Sequence, residues 1–143
     1  MPASRSGSWI RTTLMVAAGY AIIGLATMAV TRAAGGAGFH AVVGVVRALS
    51  WLSSALLFLT HILWENRSRR KLAVSGWHTS AAVAIATLLL ALIATARQLQ
   101  AGNTRPAVFL AIAAWPILTG LVSFAVGLAV FAVLRAVGRQ SGS

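Results

Sequence analysis

Aspartate and cysteine are absent from this chain of 143 residues, and glutamate occurs once, as Glu65. Each absence closes a chemistry. Without cysteine there are no disulfides, no thiolate metal sites and no cysteine nucleophile. Without paired carboxylates there is no two-carboxylate hydrolysis, no oxygen-ligand metal cage and no carboxylate-driven proton exchange within the membrane. Charge of any kind is scarce, at 9% against about a quarter in ordinary soluble domains.

What the chain has instead is apolar length. Hydrophobic residues make up 59%, and the mean hydropathy is +0.86. Four apolar runs reach spanning length, at about 12–30, 40–63, 75–96 and 107–134. The expected fold is therefore all-α: one integral membrane domain, a four-helix antiparallel bundle with short loops. The first run follows Arg5 and Arg11 and precedes Ala33, Ala34 and Gly35, as a secretory leader would. Its apolar core exceeds the 7–15 residues of a leader, which favours a retained helix.

Twelve Lys and Arg residues against one acid give a net charge of +11. They sit at the ends of apolar runs rather than on one basic face, and no aromatic platform for stacking bases accompanies them, so nucleic acid is not the expected partner. Anionic lipid is. The positive-inside rule places both termini and the second loop in the cytoplasm. Eight cations (Arg5, Arg11, Arg67, Arg69, Arg70, Lys71, Arg135, Arg139) fall on that side and four (Arg32, Arg47, Arg97, Arg105) on the other. A plasma or inner membrane is the expected location.

Arg67, Arg69, Arg70 and Lys71 form the densest charge, bracketed by Trp64 and Trp77 as interface anchors, and are candidates for contact with anionic lipid or a partner. Glu65 could pair with Arg69 one helical turn on. Asn66-Arg67-Ser68 matches a glycosylation sequon, but a cytoplasmic loop would never meet that machinery. The AAGGAG run of the first loop reads as a turn and lacks the Lys-Ser/Thr ending of a phosphate loop. Ser75 is a candidate N-cap for the third span, and Pro106 suits the first turn of the fourth. Pro116, inside the last span, marks a kink site.

Three stripes of small residues invite close helix packing. They are Ala17, Ala21, Gly24 and Met28; Ser80, Ala84, Thr87, Ala91 and Thr95; and Gly120, Ser123 and Gly127.

The second span carries the candidate site. His40, Arg47, Ser54 and His61 recur every seven residues, a spacing that holds them near one helix face with a drift of roughly 20° per step. Such a line should face protein or water. Ser54 and His61 are about 10 Å apart in rise, too far for a nucleophile and its base, so catalysis is not expected. His61 and His78 fall at similar depth on either side of the second loop and are candidate haem or metal ligands. His78, however, lies well off the small-residue face of its span, so the two rings would diverge if that face packed on span two. Arg47 either snorkels to the nearer surface or faces the bundle, and in the second case its counter-ion must come from lipid, ligand or another subunit.

The leading expectation is a non-catalytic accessory, assembly or anchoring subunit of a larger membrane complex, which self-associates or binds other membrane subunits. A second is a small oligomeric transporter, flippase or channel for an anionic or lipid-like substrate. A third is a haem-binding electron carrier. A line facing outward would favour a missing partner, and a line facing a cavity would favour transport.

Overall fold

The computed structural model describes residues 6–36, 39–67 and 72–140, with side chains placed for 9–35, 39–65 and 73–137. Four helices account for all of them but Phe39 and 101–105: α1 (Ser6–Gly36), α2 (His40–Arg67), α3 (Leu72–Gln100) and α4 (Pro106–Gln140). Each contains a segment long and apolar enough to cross a membrane, namely Trp9–Gly35, His40–Glu65, Ala73–Gln100 and Pro106–Val137.

The helices overrun the apolar runs at nearly every end, because the residues beyond each run are still able to continue a helix. This corrects two expectations. Ala33, Ala34 and Gly35 belong to the last turns of α1 rather than to a loop, and Phe39 N–H closes on the Ala34 carbonyl at 2.9 Å. Ser75 is no N-cap, since α3 starts at Leu72 and Ser75 lies within its first turn with its Oγ fully buried. The end of α3 is a Schellman closure. Gly102, at φ +78°, takes the left-handed conformation; its N–H donates to Leu99 (2.9 Å) and that of Asn103 to Gln98 (2.9 Å). Pro106 opens α4, where a missing N–H costs nothing. Pro116 lies inside α4, which remains helical on both sides.

Small residues decide which helices meet. Ala17, Ala82 and Ala86 form a buried cluster between α1 and α3, with Val16 and Tyr20 packed on it. Gly24 lets Leu90 approach so closely that a Cβ there would stand 2.4 Å from Leu90 Cδ1. The Ser80–Thr95 stripe packs on α4: Ser80 Oγ donates to the Gly120 carbonyl (2.7 Å), Thr87 meets the Thr119 hydroxyl (2.9 Å), and Thr95 Oγ1 donates to the Val108 carbonyl (3.2 Å). Gly76 and Gly127 pass each other at the far end of the same seam. Dispersion and these hydroxyl bonds hold such seams where lipid offers no hydrophobic drive.

The order in space is α2–α1–α3–α4. The helix α1 packs on both α2 and α3, α3 packs extensively on α4, and α2 makes only sparse contact with α3 and α4. Among the described residues α1 and α4 do not meet. Large apolar side chains face outward, among them Trp51 (80% exposed), Leu110 (68%) and Met15 (67%), a surface that only lipid or a partner could cover.

Candidate functional site

Along the line on α2, His61 is buried and Ser54 half-buried, while His40 and Arg47 are exposed. The sevenfold spacing keeps the line on one side of the helix, opposite Leu52, Leu56 and Leu63; Trp51, one turn on from Arg47, borders the inner cavity and is 80% exposed. The four members nevertheless stand in three different surroundings.

His40 and Arg47 line an outer cavity of about 460 Å³ together with Arg32 of α1 and Arg97 of α3. Thr31 and Gln98 add polar groups. This mouth is therefore strongly cationic. Glu65, the chain's only acid, stands at the other end of α2.

Arg47 and Ser54 also line an inner cavity of about 420 Å³ between α1, α2 and α3. Ile23, Met28, Val83 and Leu90 make most of its wall apolar. Its hydroxyls bond backward along their own helices: Thr27 Oγ1 donates to Ile23 (2.7 Å), Ser50 Oγ to Val46 (2.8 Å) and Thr87 Oγ1 to Val83 (2.9 Å). The hydroxyls of Thr27 and Ser50 meet across the α1–α2 seam. Tyr20 also lines the cavity, and its buried Oη has no partner among the described residues. A third space of about 230 Å³ continues from Met28 toward Trp115 on α4.

Arg47 and Met28 border both the mouth and the inner cavity. Arg47 itself is exposed at that border.

His61 belongs to the closed end. It is 3% exposed, and neither ring nitrogen has a hydrogen-bond partner among the described residues, so no dyad with Ser54 exists. His61 lies within electrostatic range of Glu65 and His78. His78 Nδ1 stands 3.5 Å from Glu65 Oε2, and the Trp9 ring stacks on His78 at 4.7 Å and 6°. The expected divergence of the two histidines rested on the small face of α3 packing against α2. That face packs on α4 instead, which turns His78 toward α1 and α2.

The two histidines stand in packed surroundings. Neither histidine lines any of the three cavities, and the surroundings are close-packed, with Ile62, Ser75 and Phe131 at 0% exposure and Thr79 at 1%. Among the described residues, no three His, Cys, Asp or Glu side chains form a group able to hold a metal ion. Arg69, Arg70 and Lys71, with the Glu65–Arg69 pair and the sequon's Ser68, lie outside the described residues, as does the side chain of Arg67 at the end of α2.

Sequence reasoning missed Arg32 and Arg97 as members of the site, treating them only as cations that orient the chain. Their signal was there, since both sit at the same end of their spans as Arg47 does. Tyr20, Ser50 and the Trp9–His78 stack carried no comparable signal.

No family model matches the chain, and no curated protein or solved structure matches it either. Its class therefore rests on its own helices: it is a small, all-helical protein with four candidate membrane spans.

Proposed function

We propose that the chain is a four-span antiparallel membrane bundle, non-catalytic and oligomeric in action, that admits an anionic substrate to the cleft at Arg47 and moves it, as a small transporter or flippase does. One observation carries this: Arg47 lines both cavities, with His40 on the wall of the outer one and Ser54 on the wall of the inner one. An arginine within the span, with the chain's one acid at the opposite end of the same helix, calls for an anion from elsewhere. The antiparallel arrangement is supported by paired contacts that run in opposite senses, Gly19 to Leu57 and Thr27 to Ser50 on α1 and α2, then Ser80 to Gly120 and Thr95 to Val108 on α3 and α4. The excess of cations at the closed end supports a plasma or inner membrane with both termini cytoplasmic.

The test is movement. Proteoliposomes carrying the chain are assayed for uptake of inorganic phosphate and for flipping of a fluorescent anionic lipid, with and without Arg47→Gln. A rate that falls about tenfold in the variant is expected, the size of one lost charge-assisted contact. No protein-dependent movement of either probe, or movement indifferent to Arg47, overturns the proposal.

A second reading, an accessory or anchoring subunit, draws on the face of α2 beside the line. Ala41, Gly44, Ala48 and Ala55 are exposed there, and nothing stands within 4 Å of a Cβ added at Gly44. A close-packing face without a helix on it suits a subunit partner. Isolation in mild detergent should then bring a partner that Gly44→Leu releases; a strictly monomeric chain would count against it.

A further inference from the structure

We propose that the ligand of the cleft is an anionic phospholipid, its phosphate held among Arg32, Arg47 and Arg97 and one acyl chain laid along the inner cavity. The proposal rests on the cleft being a ligand site, as argued above, and names what enters it.

Two halves of the cleft ask for two halves of one molecule. At the mouth, three guanidiniums from three different helices line one space, and none pairs with a carboxylate among the described residues. Guanidinium forks match the oxygens of a phosphate in geometry as well as charge. With Glu65 at the other end of the helix, the chain supplies no acid to quiet them. A small hydrated anion would satisfy this half and leave the other idle.

The inner half is mostly apolar. Thr27, Ser50 and Thr87 bond back to carbonyls of their own helices, Tyr20 and Ser54 add hydroxyls, and Ile23, Met28, Trp51, Val83 and Leu90 make up most of the remaining wall. At about 420 Å³ the space lies within the usual range of small-molecule pockets, and its largely apolar wall suits hydrocarbon. Met28 and Arg47 border both halves, so a headgroup at the arginines and a chain below them form one continuous ligand path.

The way in is sideways. The wall between α2 and α3 is thin, because α2 closes on α3 at Glu65 and His78 and makes only sparse contact with it overall. A lipid of the leaflet at the Arg32–Arg97 end can enter between these helices without passing through water. An aqueous anion gains nothing from such a seam.

Binding in detergent tests this. The purified full chain is titrated with phosphatidylglycerol, phosphatidylcholine, glycerol phosphate and inorganic phosphate, read by thermal shift and by native mass spectrometry. Phosphatidylglycerol should bind at least tenfold tighter than the other three. Arg47→Gln should lower that affinity about tenfold, and so should the pair Arg32→Gln with Arg97→Gln, whereas Arg105→Gln, at the same end but lining neither cavity, should leave it unchanged. The ligand arms use unaltered protein, so a variant that fails to fold does not remove the test. Equal binding of phosphate and phosphatidylglycerol, both sensitive to Arg47, overturns the lipid and leaves the anion site standing. Phosphatidylglycerol that binds no better than phosphatidylcholine, with no probe sensitive to Arg47, overturns both. Binding of phosphatidylglycerol that ignores Arg47 but is lost when Arg69, Arg70 and Lys71 are changed to Gln also overturns the proposal, since it puts the lipid at the opposite surface.

Discussion

Gly24 shows how closely this fold is drawn at single atoms. A Cβ there would meet Leu90 Cδ1 at 2.4 Å and Cδ2 at 2.9 Å, and both are the far end of a side chain that borders the inner cavity. Leu90 must swing to make room. Gly24→Ala should therefore destabilise the chain by about 1–3 kcal/mol, the usual range for overpacking, in detergent unfolding curves. Leu90→Ala in the same chain should relieve part of it, with a coupling of about 1 kcal/mol in the double-mutant cycle. Gly44→Ala, which meets nothing within 4 Å, should change stability by less than about 0.5 kcal/mol. At the closed end, Glu65 and His78 are both buried and 3.5 Å apart, so Glu65→Ala leaves His78 short of a buried acceptor. A loss of about 1–3 kcal/mol is expected by the same measurement, and Glu65→Gln, which keeps an oxygen acceptor, should lose less.

Single elements were largely legible, and their pairing was not. Apolar length located all four spans, because a bilayer demands it. Boundaries fell short because helices continue past the apolar residues until a turn stops them, as Gly102 does after α3. The small stripes were also legible as packing faces, but a stripe carries no address. The Ser80–Thr95 face would suit any helix, and only the structure assigns it to α4, which in turn aims His78 at Glu65. The α3–α4 seam gives a sharp contrast between its two kinds of contact. Ser80→Ala removes one bond to the Gly120 carbonyl and should lose only about 0.6 kcal/mol, the average for such bonds in membrane proteins. Gly127→Leu drives a side chain toward the Gly76 backbone, which stands 3.9 Å from a modest Cβ already. Backbone cannot swing aside as Leu90 can, so about 3 kcal/mol or more is expected in the same unfolding assay.

Across the whole molecule, the two ends differ in kind. One is packed, with Ile62 and Phe131 at 0% exposure beside the Glu65–His78 contact; the other holds the cationic mouth. The same polar line runs from one to the other, from His40 in the mouth to His61 among buried neighbours. Heptad spacing could reveal the line but not this gradient, which arises because α2 leans on α1 along its length and reaches α3 and α4 only sparsely. By the positive-inside rule the larger group of cations, beyond the closed end, would orient the chain, whereas Arg32, Arg47 and Arg97 at the open end line one space. If orientation follows the larger group, the mouth faces away from the cytoplasm. The absence of cysteine makes this directly measurable, since any thiol introduced is the only one. Thr104→Cys, in the exposed turn between α3 and α4, should react with a membrane-impermeant maleimide on intact cells, and Ser68→Cys, between α2 and α3, only after the membrane is opened. The reverse pattern would turn the mouth toward the cytoplasm, and a lipid drawn into the cleft would then come from the inner leaflet rather than the outer one.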